Sequence, residues 1–381
     1  MAPLRGLKVL ECARILAGPW IGQVLADLGA TVIKLESPEG DDTRGWGPPF
    51  IERDGDTAAA YFYGCNRGKL SVTADLATEE GQRLARDLAA EADVFLENFK
   101  LGGLRKFGLD YDSLAALNPG LVYCSITGFG HTGPYASRAG YDYLVQGMSG
   151  LMSITGDPAG EPQKVGVAVT DIFTGLYAVI AIQAALTVRQ TSGKGQHIDM
   201  SLLDAGTAIL ANQSMNFLAT GVSPTRLGNE HPNIVPYQVF STTDGEIIIA
   251  AGNDGQYRRL CEVLGRSDLA GDARYATNAQ RVQQRSVLVP LLIEETRKWT
   301  REDLLRGLEA RSVPASPINS VGDVFSDPQI VARHLQIAPD GVPGTRSPIV
   351  FSDAELSLDR TAPKLGEHDQ LVREKGWSAG D

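Results

Sequence analysis

The chain has 381 residues, enough for two domains with sizeable cores, and 43% hydrophobic with 21% charged residues is the composition of a folded globular protein. Its net charge of −11 argues against a nucleic-acid partner, which needs a basic footprint, but leaves room for a phosphorylated small molecule met by a local basic cluster. The four cysteines (Cys12, Cys65, Cys124, Cys261) are scattered without a CxxC, so neither a zinc site nor a disulfide framework is expected, and a reducing cytoplasmic setting is the simplest.

The N-terminal stretch MAPLRGLKVLECARIL is interrupted by Arg5, Lys8, Glu11 and Arg14, unlike a signal peptide. Residues 7–36 then predict a β-α-β unit. LKVLEC is a strand, AGPW opens a helix with Pro19 in its first turn, and ATVIKLE is a second, fully buried strand. Residues 77–92 predict an amphipathic helix with Leu84, Leu88 and Ala92 on one face, followed by a strand in DVFLENF and another in LVYCSIT. Alternating strands and helices predict an α/β fold with a mostly parallel sheet and ligands at the strands' carboxyl ends. GFGHTG (128–133) matches G-x-G-x-x-G formally, but Pro134 follows where a dinucleotide fingerprint must open a helix. A glycine loop lying over a ligand or at a chain crossing fits better.

Residues 164–189, KVGVAVTDIFTGLYAVIAIQAALTVR, organise the rest. Val165–Val169 predicts a short strand or an extended entry, and Thr170 or Asp171 then caps a helix that is apolar nearly all round, the pattern of a buried helix. Its apolar core, Leu176–Val188, is too short to span a bilayer and includes Gln183, so no membrane is expected. Asp171 at this helix start has two readings: an ordinary cap, or a carboxylate held in a dry place and able to act as a nucleophile.

Beyond it, His197–Met200 predicts a strand and the residues to Thr220 a long helix. The Gly-, Pro- and Ser-rich stretch 220–236 marks a boundary. QVFSTTDGEIIIAAG then predicts a β-hairpin turning at Asp244-Gly245, with helices in GQYRRLCEVLG and REDLLRGLEARS and a strand-like patch in SPIVFS. The five histidines show no metal-ligand spacing, and no GxSxG elbow or P-loop is present. Lys100, Arg105 and Lys106 cluster just beyond Asn98-Phe99, either a solvated surface or a seat for phosphates.

Taken together, LKVLECARILAGPW, DLGATVIKLESPEGDDTR, CNRGKLSV, DVFLENF, YCSITGFGHTGPYASRAGYDY, TDIFTGLYA, GKGQHIDMSLLD and TTDGEIIIAAGNDGQ resemble the class III coenzyme A transferases over nearly the whole chain. DDTRGWGPPF, CSITG, RAGYD, IVPYQ and AGNDGQ look most like the succinyl-CoA:glutarate branch.

The resemblance implies a large Rossmann-like CoA-binding domain (1–219, completed by 326–381) and a smaller α/β domain (220–325), joined by long linkers into an interlocked homodimer. It implies Asp171 as the nucleophile of an aspartyl-CoA route between an acyl-CoA and a carboxylate, with no metal or cofactor. By the same matching, Leu16, Tyr141 and the glycine loop Gly252-Asn253-Asp254-Gly255-Gln256 line the active site, the loop as a mobile cover. CoA contacts come from Ile15, Lys69, Asn98, Phe99 and Lys106. Two departures stand out. Leu16 replaces the Gln of formyl-CoA transferases, which argues against an oxalate enzyme, and Ser37 replaces a basic residue, a loss that Arg44 could offset. An α-methylacyl-CoA racemase would need a His where Tyr141 stands, and a non-catalytic CoA-binding protein should lack Asp171.

Overall fold

The structure, a computed structural model, describes residues 1–380. It divides into two compact units. Met1–Leu151, Lys164–Val222 and the chain from Pro328 onward form the first; Met152–Gln163 and Ser223–Asp327 form the second.

The first unit is built on six parallel strands: β1 (Lys8–Cys12), β2 (Thr31–Glu36), β3 (Leu70–Thr73), β4 (Val94–Glu97), β5 (Val122–Thr127) and β6 (His197–Ser201). Their order is β3-β2-β1-β4-β5-β6, the doubly wound arrangement in which strand order reverses between β1 and β4. The strands are apolar on both faces because both are covered. Leu10, Ile33, Phe95 and Tyr123 point to the layer containing α2 (Glu79–Glu91), with Leu88 and Trp377. Val9, Val32, Val94 and Val122 point to the other, with Ile21 and Leu25 of α1 (Ala17–Asp27) and Ala178 and Ile182 of a long helix, Val169–Ser192. Gly175 lets that helix lie against α1, since a Cβ there would stand 3.1 Å from the Ala17 carbonyl oxygen and 3.2 Å from the Trp20 ring.

The second unit carries the expected hairpin, Tyr237–Ser241 with Glu246–Ala250, turning at Asp244-Gly245, where Gly245 has φ +147. Ala315–Pro317 extends it antiparallel. Phe240, Ile247 and Ile249 form a core with Leu260, Leu288, Leu292, Leu304 and Leu308 from its helices.

Several expectations are corrected. Met152–Gln163, expected in the large domain, packs with the second unit: Arg226 donates to the carbonyls of Asp157 and Gly160 (3.1 and 2.9 Å), and the Gly228 amide to Gly156 (3.1 Å). Val165–Val169 and SPIVFS form no strand. The long helix after β6 is two, Leu202–Ala208 and Ala211–Thr220, broken where Ala211 takes φ +46. The Asp171 helix has 24 residues and, by length and composition alone, could cross a membrane. Only one side of it is buried, at Thr170, Thr174, Ala178, Ile182 and Ala185, while Ile180 is 64% exposed and Leu176, Tyr177 and Val188 are exposed too.

Candidate active site

A cavity of about 480 Å³ opens in the first unit where the strand order reverses. Its walls are the turn after β1 (Arg14–Ala17), the segment after β4 (Asn98–Leu101) with Lys106, and the loop Ala136–Tyr141; Asp171 lies among them. This is the crevice at the carboxyl ends of parallel strands where such folds bind ligands. Four cations border it, Arg14, Lys100, Lys106 and Arg138, and no histidine does.

Asp171 sits in the first turn of its helix and is not the cap. The N-cap is Ala168, whose side chain makes no capping bond. The end is closed from α3 (Asp142–Met148): Asp142 Oδ1 accepts from the Thr170 amide (2.8 Å) and hydroxyl (2.7 Å). A side-chain cap of this kind contributes roughly 0.5–2 kcal/mol. Gln146, fully buried, donates to Asp142 Oδ2 (2.7 Å) and accepts from the Val165 amide (2.8 Å), so one short helix holds the approach to Asp171. Burial first, and the Asp142 charge second, push Asp171 up to about 7. The helix dipole would favour its ionised form; desolvation and a like charge outweigh it.

The turn after β1 contains an unusual backbone. Ile15 has φ +73, a left-handed conformation that costs a β-branched residue about 1–3 kcal/mol. Its amide faces both Asp41 carboxylate oxygens at 3.3 Å. On either side, Lys34 Nζ donates to the Ala13 carbonyl (2.8 Å) and Lys69 Nζ to the Pro19 carbonyl (2.8 Å). Both lysines are buried and share Glu11, at 3.0 and 2.8 Å.

The remaining expected residues divide. Ile15, Leu16, Asn98, Phe99, Lys106, Tyr141 and Asp171 border one cavity. Lys69 does not: its ammonium points inward to Glu11, Asn66 and Pro19. Asn98 borders the cavity, yet its amide group bonds both the Arg14 amide (3.0 Å) and carbonyl (2.6 Å). Arg44 cannot make up for Ser37. It is held by Glu36 (2.7 and 2.9 Å) and the Pro363 carbonyl (3.1 Å), and lies 3.7 Å over the Phe62 ring. Gly252, Asn253, Asp254, Gly255 and Gln256 belong to the second unit, as the start of a capped helix rather than a loose flap. Asn253 caps the Gln256 amide (2.9 Å), Gln256 accepts from Gly252 (2.8 Å), and Asp254 pairs with Arg281 (2.8 Å). The GFGHTG segment is a chain crossing: a Cβ on Gly128 or Gly140 would stand 2.5 Å from the other's Cα.

Sequence reasoning missed Glu11, Lys34, Asp41 and Glu97. Glu97, at the end of β4, accepts from the Phe99 amide (2.7 Å), and burial raises it to about 7 despite that bond and one to Ser125. The available signal for Glu11, Lys34 and Glu97 was a charged residue set among the apolar ones of LKVLEC, TVIKLE and DVFLENF; Asp41 lies outside these strands. Among the described residues, no three His, Cys, Asp or Glu side chains gather as a metal site, and all four cysteines are free and buried.

Comparison with known proteins agrees with this geometry. A solved CAIB/BAIF family protein from Brucella suis superposes with a TM-score of 0.90 at 63% identity, covering 98% of this chain and 99% of that one. A succinate–glutarate CoA-transferase of Agrobacterium fabrum is 59% identical over 97% of this chain and 94% of its own length. The human succinyl-CoA:glutarate CoA-transferase is 40% identical over 96% of this chain and 84% of its own. The sequence profile of CoA-transferase family III matches residues 4–369, and the chain belongs to that family.

Proposed function

We propose that this CoA-transferase moves CoA from succinyl-CoA to a short dicarboxylate, with Asp171 as the covalent carrier. One observation supports it above the rest: a carboxylate raised to about 7 stands in a cation-bordered cavity at the sheet's switch point. The substrates follow two relatives that are succinate–glutarate and succinyl-CoA:glutarate CoA-transferases.

The Asp171 carboxylate attacks the thioester carbonyl and the C–S bond breaks, giving an aspartyl-succinyl anhydride and CoA thiolate. The thiolate attacks the Asp171 carbonyl of the anhydride, releasing succinate and leaving an aspartyl-CoA thioester. An acceptor carboxylate displaces the thiolate to form a second anhydride. The thiolate then takes the new acyl group, and the Asp171 carboxylate is regenerated. Raised basicity makes Asp171 a better oxygen nucleophile, while cations on the walls suit the CoA phosphates and developing oxyanions. Excluding water protects the anhydrides from hydrolysis. No metal or redox cofactor enters these steps.

The same reading makes the protein a cytoplasmic homodimer whose subunits thread one another through the linkers between the two units. The exposed apolar side of the Asp171 helix supports a second copy as its cover.

The test is Asp171→Ala with intact mass. Wild-type protein given succinyl-CoA without acceptor should gain the mass of CoA less water, and the variant should gain none and lose transfer by at least about a thousandfold. A folded variant that still transfers CoA at a tenth of the wild-type rate would overturn the assignment.

A further inference from the structure

We propose that Asp41 is a positioning residue for the transfer reaction: by binding the Ile15 amide it holds the Arg14–Ala17 wall in the shape that receives the acyl-CoA. This rests on the reading of the cavity as the acyl-CoA site.

Asp41 is 4% exposed and is absent from the cavity's lining, so it touches no ligand. It is itself fixed, accepting from the Thr43 amide (3.0 Å) and hydroxyl (2.8 Å) and pairing with Lys34 (3.0 Å). Burial alone would raise this carboxyl, but Lys34 and the Thr43 bonds more than offset it and hold Asp41 below the usual carboxylate range. A fixed negative charge therefore faces the one amide in the wall whose conformation is unfavourable for its residue. Glycine at position 15 would adopt that backbone freely. Isoleucine there supplies a side chain to the cavity, and the carboxylate offsets the strain. The neighbouring ties agree: Lys34 on Ala13, Asn98 on Arg14, the Cys65 thiol on the Ile15 carbonyl (3.6 Å) and Lys69 on Pro19 fix the wall before any ligand arrives. Of the residues matched to CoA contacts by resemblance, Asn98 bonds this wall at Arg14, and Lys69 bonds the helix that follows it at Pro19.

The experiment is a double-mutant cycle on the full-length protein, reading the CoA dissociation constant by calorimetry and KM and kcat for succinyl-CoA. Asp41→Ala should weaken CoA binding and raise KM at least tenfold, with kcat at saturation within about threefold. Asp41→Asn, which keeps an acceptor for the Ile15 amide, should fall between. In an Ile15→Gly background the left-handed backbone no longer needs holding, so Asp41→Ala should change binding less than threefold. Equal effects in both backgrounds, or unchanged binding in a folded Asp41→Ala protein, would overturn the proposal. If Asp41→Ala does not fold, the cycle is run with Asp41→Asn, expected at least threefold in the Ile15 background and absent with Ile15→Gly. Wild-type protein that binds no CoA would instead refute the acyl-CoA site itself.

Discussion

Asp142 caps the helix that carries Asp171, one residue before it: Asp142 Oδ1 takes both the Thr170 amide and its hydroxyl. One carboxylate thus satisfies the helix N-terminus while its charge disfavours ionisation of the other. Tyr61 also faces this pair, and burial together with charges that include Asp171 and Asp142 raises its hydroxyl to about 12, so it stays neutral there.

The acid limb of kcat/KM for acyl-CoA should follow ionisation of Asp171, rising with pH through about 7. Asp142→Asn keeps an oxygen for Thr170 but removes the charge, so the limb should move to lower pH. A drop of about half a unit would raise the ionised share at pH 6 roughly two- to threefold. The pH–rate profile, with the melting temperature as a control, checks this. An unmoved limb in a folded variant would show that Asp142 acts only as a cap.

A second consequence concerns stability. The folded chain keeps a proton on Asp171 up to about pH 7, whereas the unfolded chain releases it near the ordinary carboxyl value of 3.8. The folded form therefore binds more protons across that window, and this group's contribution is present below it and lost as pH rises through about 7. Asp171→Asn should stabilise the protein at pH 8.5 relative to pH 5.5, by on the order of 1–3 kcal/mol once solvent in the open cavity is allowed for. Thermal melts at fixed protein concentration test it; a difference independent of pH would contradict the raised value.

Much of this was visible in the residues. Buried apolar runs identified the strands LKVLEC, ATVIKLE, DVFLENF and LVYCSIT, and the Asp244-Gly245 turn identified the hairpin. What escaped was non-local. The cap of the Asp171 helix comes from a residue 28 positions earlier, so the eye falls on Thr170 and Asp171 themselves. Val165–Val169 is β-branched, but its backbone finds Gln146 and not a strand edge. Resemblance matched Lys69 to a CoA contact without the direction of its side chain, which turns inward to Glu11. Glu11 and Lys34 sit opposite each other in register on β1 and β2, a pairing that opposite charges in adjacent apolar strands could have suggested.

The apolar circumference of the Asp171 helix was read as burial, and a single chain buries only one side of it. On the proposal that a second copy covers the rest, Ile180→Glu should lose about 1.5–3 kcal/mol of apolar burial in each subunit, besides desolvating a charge. Lower melting temperature and dissociation or unfolding on dilution are expected, by light scattering and calorimetry. A wild-type monomer, or an Ile180→Glu dimer of unchanged stability, would count against this face as the interface.

On the proposed dicarboxylate reading, Arg138 is the cation that would set substrate choice. A dicarboxylate acceptor presents one carboxylate to the chemistry and a second that must meet a cation or donors, because an unpaired charge in a closed site is costly. Arg44 does not border the Asp171 cavity and is engaged by Glu36, Pro363 and Phe62. Arg138 borders the same cavity as Asp171, and its guanidinium lies 4.4 Å from the centre of the Tyr135 ring. Lys100 and Lys106 border the cavity with Asn98 and Phe99, on a separate segment of its wall, and suit phosphates. Arg138→Ala should therefore raise KM for glutarate at least tenfold, about 1.4 kcal/mol, and KM for butyrate less than threefold. Arg138→Lys should recover part of the loss, since an ammonium supplies charge without the bidentate fork. A rise in KM for succinyl-CoA alone would make Arg138 a CoA contact, and equal use of glutarate and butyrate by the wild type would remove the diacid assignment while leaving CoA transfer intact.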